Sequence, residues 1–108
     1  MRGILEQDIQ KAILDYLKYK KIYSWKSPST GLYDPTRKIF RKNKGIKTVD
    51  ILGILPSGKF LAIEVKRKPN KPTPDQLEFI DNINRNNGLA FVAYSFTEVE
   101  EKLREYAS

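Results

Sequence analysis

The chain has 108 residues, which suits one compact domain, and we expect a single domain over residues 1–108. It contains neither histidine nor cysteine, which excludes imidazole bases, histidine–metal sites, thiol catalysis and disulfides. The net charge of +7, from 20 Lys+Arg against 13 Asp+Glu, suggests a polyanionic partner, because basic side chains that neutralise phosphates release condensed counterions.

The first half of the chain predicts one helix, one strand and a less regular segment. Apolar side chains recur at helical spacing within the first twenty residues and predict an amphipathic helix. Residues 22–25 are β-branched or aromatic and predict a short strand. Proline and glycine recur through residues 26–47 and disfavour regular structure, so we expect a long loop or an irregular hairpin there. The apolar stripe of the helix comprises Leu5, Ile9, Ala12, Ile13, Tyr16 and Leu17.

The second half is more regular. Residues 49–55 and 59–66 predict two strands joined by a short turn, and residues 89–94 and 96–106 predict a strand and a closing helix. The helix is expected to bury Val99, Leu103 and Tyr106. The order αβββαβα predicts an α/β fold, a mixed β-sheet flanked by helices. The helix that begins near residue 73 connects two strands that we expect to be parallel.

That connecting helix carries its own start and stop signals. Thr73 is expected to cap it, Pro74 occupies the first helical position, and Gln76 completes a capping box. Gly88 is expected to end it. Its buried stripe is predicted to comprise Leu77, Ile80 and Ile83.

The turn Pro56-Ser57-Gly58 determines which residues face each other across the hairpin. Its composition suits a three-residue loop with Gly58 in the left-handed conformation. In that register Leu55 pairs with Lys59, and Asp50 lies directly opposite Glu64. A two-residue loop would turn Asp50 to the other face of the sheet.

Two facing carboxylates repel each other unless a cation or a proton joins them. Lys66, on the same face as Glu64, supplies one positive charge, and a hard divalent ion, Mg²⁺ or Mn²⁺, would supply more. We predict that Asp50 and Glu64 bind this metal, with the backbone carbonyl of Val65 as a further ligand. Lys66 would orient the attacking water or stabilise the transition state. The alternative, a Glu64–Lys66 ion pair on an exposed strand, is disfavoured by the apolar neighbours of Glu64.

Asp50 followed by Glu64-Val65-Lys66 resembles the PD-(D/E)XK nuclease motif, and the surrounding segments are similar to the VRR-NUC family. These segments span residues 45–53, 56–66, 73–77 and 88–92. Glu6 is a further match, whereas Val49 stands where the motif has proline. The resemblance implies a restriction-endonuclease-like fold and a Mg²⁺- or Mn²⁺-dependent DNA nuclease. Stand-alone members of the phage type resemble Holliday-junction resolvases and tend to be homodimers.

Two further polar residues have competing interpretations. The capping box fully accounts for Gln76, yet the family places a glutamine of its site here, and we favour a catalytic role. Glu6 is either a solvated acid in the first helical turn or a residue of the metal site. Three aromatic residues are expected to serve packing rather than base stacking: Trp25, Tyr33 and Phe40.

The basic residues are clustered around the predicted site. We expect them to contact DNA phosphates, although each taken alone is equally compatible with a solvated surface charge. The predicted DNA-binding residues are Arg37, Lys38, Arg41, Lys42, Lys44, Lys47, Arg67 and Lys68.

These features favour a metal-dependent endonuclease that cuts branched or flapped DNA in replication, recombination or repair. The alternative is a non-catalytic, basic nucleic-acid-binding module. No apolar run approaches the roughly 20 residues that cross a membrane, and the first residues lack the long apolar stretch of a signal peptide. We therefore expect a cytoplasmic protein with no membrane partner, in the host cytoplasm if it is encoded by a phage.

Overall fold

The computed structural model describes residues 5–27, 32–34, 39–41 and 49–106. Three helices and six strands lie in these ranges. In chain order they are α1 (Glu6–Tyr19), β1 (Tyr23–Lys26), β2 (Leu32–Asp34), β3 (Ile39–Arg41), β4 (Ile51–Ile54), β5 (Phe60–Val65), α2 (Pro74–Arg85), β6 (Leu89–Ala93) and α3 (Phe96–Tyr106).

A four-stranded sheet forms the centre of the fold, in the order β1-β4-β5-β6. β1 and β4 are antiparallel, as are β4 and β5, whereas β5 and β6 are parallel. The predicted mixed sheet and the predicted crossover through α2 are therefore confirmed. β2 and β3 form a separate antiparallel pair, so the segment that was expected to be a loop or an irregular hairpin contains a hairpin.

The helices cover the two faces of the sheet unequally. On one face, α1 and α3 bury Ile13, Leu17, Val99 and Leu103 against alternate residues of β5. On the other face, α2 packs on a smaller cluster that comprises Val49, Leu52, Ala62, Ala90, Phe79, Ile80 and Ile83. Because α2 follows β5 and α3 follows β6, two adjacent parallel strands send their helices to opposite faces.

Three packing predictions are wrong in detail. Ala12 is exposed on α1, whereas Leu14, which was not predicted to lie in the stripe, is partly buried against the core. Leu77 is 50% exposed, and the stripe of α2 that faces the sheet contains Phe79 in its place. Trp25 was expected to be packed, yet it is exposed because β1 is an edge strand. The side chains of Tyr33, Phe40 and Tyr106 lie outside the described part of the chain.

Specific residues explain where α2 begins and where it ends. The Thr73 hydroxyl accepts a hydrogen bond from the Gln76 backbone at 3.2 Å, and the Gln76 Oε1 accepts one from the Thr73 N–H at 2.8 Å, which confirms the predicted capping box. At the other end the left-handed residue is Asn87, with a φ of 68°, rather than the expected Gly88. Gly88 is needed for a different reason, since a Cβ there would lie 2.6 Å from Ile83 Cγ2 and 2.9 Å from the Phe60 carbonyl oxygen.

None of the described helices is long and apolar enough to span a membrane.

Candidate active site

The β4–β5 hairpin adopts the predicted register. The Leu55 N–H donates to the Lys59 carbonyl at 2.9 Å, and the Gly58 N–H donates to the Leu55 carbonyl at 2.8 Å, which closes a three-residue loop. Gly58 has a φ of 93°, a conformation that is costly for any residue with a Cβ. The strand pairs run from Ile54 opposite Phe60 to Ile51 opposite Ile63. The next position in this series places Asp50 opposite Glu64.

Asp50 is held between two strands at the end of β4. Its backbone carbonyl accepts a hydrogen bond from the Ser27 N–H at 2.8 Å, just beyond β1. Its Oδ2 accepts a hydrogen bond from the Val65 N–H of β5 at 2.9 Å. The Asp50 carboxylate therefore accepts the hydrogen bond from β5 at the point where the backbone hydrogen bonds between β4 and β5 end. This contact holds the carboxylate beside Glu64.

Glu64 is an acidic side chain with almost no access to solvent. It is 1% exposed and lies on the central strand β5, beside Val92 of β6. Burial, a hydrogen bond with the Asp50 carboxyl and the Asp50 charge together raise the pKa of Glu64 to about 9. Without a cation, the two carboxyl groups therefore share a proton at neutral pH. An exposed Glu64–Lys66 ion pair, the alternative interpretation of this motif, is excluded by the burial of Glu64.

Lys66 and Glu6 also act on Glu64. The Lys66 ammonium lowers the Glu64 pKa, although less than burial and Asp50 raise it, and the Glu6 carboxylate raises it slightly. The start of α1 and the end of β5 therefore bring Glu6, Asp50, Glu64 and Lys66 into one neighbourhood. Lys66 is half-buried, and its backbone N–H donates to the Ala93 carbonyl of β6 at 3.0 Å.

The acidic pair has the properties of a site for a hard divalent ion. The Glu64 Oε2 is buried and accepts no hydrogen bond from any described residue. A buried, unpaired oxygen beside a second carboxylate is unfavourable in the absence of a cation, and carboxylate oxygens are the donors that Mg²⁺ and Mn²⁺ prefer. Within the described ranges, no three acidic residues lie close enough to form a complete metal cluster, so Glu6 is near the pair without joining it.

Gln76 is engaged in the capping box of α2 in this structure. α2 packs on β5 and β6 as a crossover helix, so its N-terminal end lies beside the carboxyl ends of these strands, where Lys66 is located. Gln76 is half-buried and uses its Oε1 for the cap. A catalytic role for Gln76 stays a prediction that the cap does not contradict, since the amide nitrogen is not the capping atom.

Of the predicted DNA-binding side chains, Arg67 and Lys68 are described, and both are exposed directly after Lys66. The other side chains of this group lie outside the described residues; they are Arg37, Lys38, Arg41, Lys42, Lys44 and Lys47.

The sequence analysis did not single out the turn after β6. The Ser95 Oγ accepts a hydrogen bond from the Glu98 N–H at 3.3 Å, and the Glu98 Oε2 accepts one from the Tyr94 N–H at 2.9 Å. These contacts cap α3 and order the chain where β6 ends. The spacing Ser-x-x-Glu before an apolar helical stripe is the signal that predicts such a cap.

Comparison with protein-family models gives a match to the VRR-NUC domain over residues 4–97. The match includes α1, the whole sheet and the capped start of α3. No curated protein matches the chain.

Proposed function

The chain belongs to the VRR-NUC family of nucleases, which act on DNA, and we propose that it is a Mg²⁺- or Mn²⁺-dependent DNA endonuclease with Asp50, Glu64 and Lys66 at its centre. The observation that carries the proposal is the buried Asp50–Glu64 pair, with an unpaired Glu64 oxygen and the Lys66 ammonium beside it. A structural role does not account for an acid that is buried, whose pKa is raised by burial and by its acidic neighbour, and that has one oxygen without a hydrogen bond from any described residue.

In this proposal Asp50, Glu64 and the Val65 carbonyl hold the metal, and Glu6 acts at longer range. A divalent ion held there would supply positive charge to polarise the scissile phosphate and to lower the pKa of a water. Asp50 and Glu64 would release their shared proton to solvent in order to hold the ion, because metal ligands must be deprotonated.

The other residues position the substrate and the water. The Lys66 ammonium donates to the attacking water or to a phosphate oxygen, where negative charge increases in the transition state. The Gln76 amide, in the N-terminal turn of α2, would hold a substrate or water oxygen. The positive end of the α2 dipole points to the same end of the sheet and favours an anionic phosphate there. Arg67 and Lys68 contact the flanking phosphates.

We further propose that the substrate is branched or flapped DNA and that two copies of the chain act together as a homodimer. An apolar surface of the sheet, which none of the described helices covers, supports the second part. Directly paired residues lie on the same side of a sheet, so Tyr23 of β1, Ile54 of β4 and Phe60 of β5 form one row. Trp25 lies in the next row, and its ring centroid is 5.4 Å from that of Tyr23.

This apolar surface favours a second copy of the chain rather than DNA as its occupant. Tyr23 is 71% exposed, and Trp25, Ile54 and Phe60 are exposed as well, because α2 covers only the β5–β6 side of this face. These rows contain no charged side chain, so they do not complement the phosphate backbone of DNA. They do complement the same apolar surface on a second copy of the chain.

The test is cleavage of linear, nicked, flapped and four-way DNA with Mg²⁺, Mn²⁺ or a chelator. We expect metal-dependent cleavage that is lost in Asp50→Asn and reduced about 10²- to 10³-fold in Lys66→Ala, with DNA binding largely retained in both. Lys102→Ala, an exposed change on α3, is the matched control for Lys66→Ala. Salt-sensitive binding without cleavage of any substrate would favour the alternative, a non-catalytic binding module.

A further inference from the structure

A groove lies at the carboxyl ends of β5 and β6, on the face of the sheet that α1 and α3 cover. It has a volume of about 740 Å³, within the range of pockets that hold small molecules. Its walls come from the first two turns of α1, from Arg67 and Lys68 after β5, and from residues 94–96 and 98 after β6. Its lining residues therefore include the residue that follows Lys66 and a residue two positions after Glu6 in the chain.

The topology of the sheet explains why an opening forms here. β5 and β6 are adjacent and parallel, yet β5 continues into α2 on one face and β6 into α3 on the other. The two connections diverge at the carboxyl ends of the strands and leave a crevice between them. In α/β sheets this point of divergence is where ligands bind.

The side chains of the groove are divided by type. Ile9, Ala12 and the ring of Phe96 form an apolar wall between α1 and α3. Phe96 is 43% exposed, although one side of its ring rests on Tyr16 at a centroid distance of 6.1 Å. The cations Arg67 and Lys68 line the groove from the connection after β5, directly after Lys66 in the chain.

The acidic residues of the groove belong to the two helices, Asp8 to α1 and Glu98 to α3. The Asp8 Oδ2 accepts a hydrogen bond from the Leu5 N–H at 3.1 Å, and the Glu98 Oε2 accepts one from the Tyr94 N–H at 2.9 Å. Both carboxylates cap helices, and both would repel a phosphate placed near α1 or α3. A phosphate is therefore favoured only at the Arg67–Lys68 side, whereas a flat apolar group is favoured beside Phe96.

We propose that this groove binds one unpaired nucleotide of the DNA strand that is cut, with its base on Phe96 and its phosphate on Arg67 and Lys68. The proposal rests on the proposed nuclease function and specifies its substrate class. A base inside a duplex is stacked and paired and cannot enter the groove, whereas a base at a flap, bulge or branch can do so. The groove would therefore select DNA that carries an unpaired nucleotide next to the scissile phosphate.

The first test measures binding and does not depend on cleavage. An Asp50→Asn protein is mixed with duplex DNA that carries a single unpaired 2-aminopurine, a base whose fluorescence falls when it stacks. We expect quenching on binding, its loss when Phe96→Ala is added, and its recovery with Phe96→Tyr, which keeps an aromatic ring. Tyr19→Ala removes an aromatic residue that is 81% exposed outside the groove and serves as the control.

The second test compares the cleavage rates of bulged and continuous duplexes within each variant. We expect a preference of about tenfold for the bulged duplex, the scale of one stacked base, in the unmodified protein and in Tyr19→Ala and Lys102→Ala. Phe96→Ala and Arg67→Ala should lose most of this ratio.

A quenching signal and a cleavage ratio that both survive Phe96→Ala would overturn the groove proposal. Cleavage of neither duplex would overturn the proposed function instead, while the fluorescence measurement would still decide whether the groove binds a base.

Discussion

The carboxyl groups of Asp50 and Glu64 share a hydrogen bond across the β4–β5 hairpin. The two residues are fourteen positions apart in sequence, and a three-residue turn brings them together. The Val65 N–H, which follows Glu64, donates to Asp50 and fixes the orientation of the pair. The acidic centre is therefore a product of strand register, and its properties can be tested through the turn as well as through the acids themselves.

Gly58→Ala should lower the free energy of unfolding by about 1–2 kcal/mol, the cost of placing a residue with a Cβ in a left-handed conformation. No atom lies within 4 Å of the position that a Cβ would occupy, so no clash adds to this backbone effect. Urea denaturation measures the change, with Ser57→Ala in the same turn as the control. Equal stability of the two variants would contradict the turn conformation.

Deleting Ser57 should abolish metal-dependent cleavage while leaving a folded protein. A two-residue loop shifts the pairing by one position and turns Asp50 to the opposite face of the sheet, away from Glu64. Circular dichroism would check folding and a cleavage assay would check activity. Retention of full activity would show that Asp50 does not need its position opposite Glu64.

The metal-free protein should lose stability as pH rises from about 5 to about 9. The pKa of Glu64 is raised from 4.5 to about 9, so over this range the folded state holds a proton that the unfolded state has released. Stability is then highest at the acidic end and falls until the folded state ionises. Urea midpoints with a chelator present should show this slope, and Glu64→Gln should flatten it, whereas Glu101→Gln, an exposed acid, should not.

Mn²⁺ should stabilise the protein more at pH 8 than at pH 6, because binding must displace the proton that Asp50 and Glu64 share. At a concentration one hundred times the dissociation constant, the stabilisation is about 2.7 kcal/mol. Thermal unfolding with and without Mn²⁺ measures it, and titration calorimetry in two buffers measures the released proton. An Asp50→Asn protein that Mn²⁺ stabilises to the same extent would rule out this site.

The register of the hairpin and the capping box of α2 could be predicted from sequence because short, local rules determine them. Pro56, Ser57 and Gly58 specify a loop length, and Thr73 with Gln76 specifies a cap. Strand alternation then assigned Asp50, Glu64 and Lys66 to one face without further information. The chemistry of the centre follows from these local features.

The features that the sequence did not predict depend on how far one element covers another. Leu77 has the spacing of a buried residue, yet α2 packs on the sheet through Phe79, Ile80 and Ile83, and Leu77 is exposed. Trp25 is exposed as well, because α2 packs over β5 and β6 and not over β1. The electrostatic effect of Glu6 on Glu64 likewise depends on where α1 begins relative to the end of β5. The periodicity of apolar side chains shows which face of a helix or strand is apolar, but not how much of that face another element covers.

Thr73→Ala and Gln76→Glu should separate capping from catalysis. Thr73→Ala removes the acceptor of the Gln76 N–H and should cost about 1 kcal/mol of stability, with little change in the cleavage rate of the folded protein. Gln76→Glu keeps an oxygen that accepts from the Thr73 N–H, so stability should hold while cleavage falls, because the amide donor is lost. If Gln76→Glu retains full activity, its role is limited to the cap.

Ile54→Glu should convert the proposed homodimer to a monomer. Ile54 lies between Tyr23 and Phe60 in the uncovered apolar row, so a charge there would be buried without a partner in any dimer that uses this face. The side chain is exposed in the single chain, so the fold itself should tolerate the change. Sedimentation velocity at micromolar concentration distinguishes the two states, and Lys102→Glu on α3 is the charge-changing control.

Four-way DNA adds a functional readout, since paired cuts on opposite strands require two active centres held together. A dimer that survives Ile54→Glu would move the interface to another surface, and a monomeric unmodified protein would remove the basis for paired cleavage.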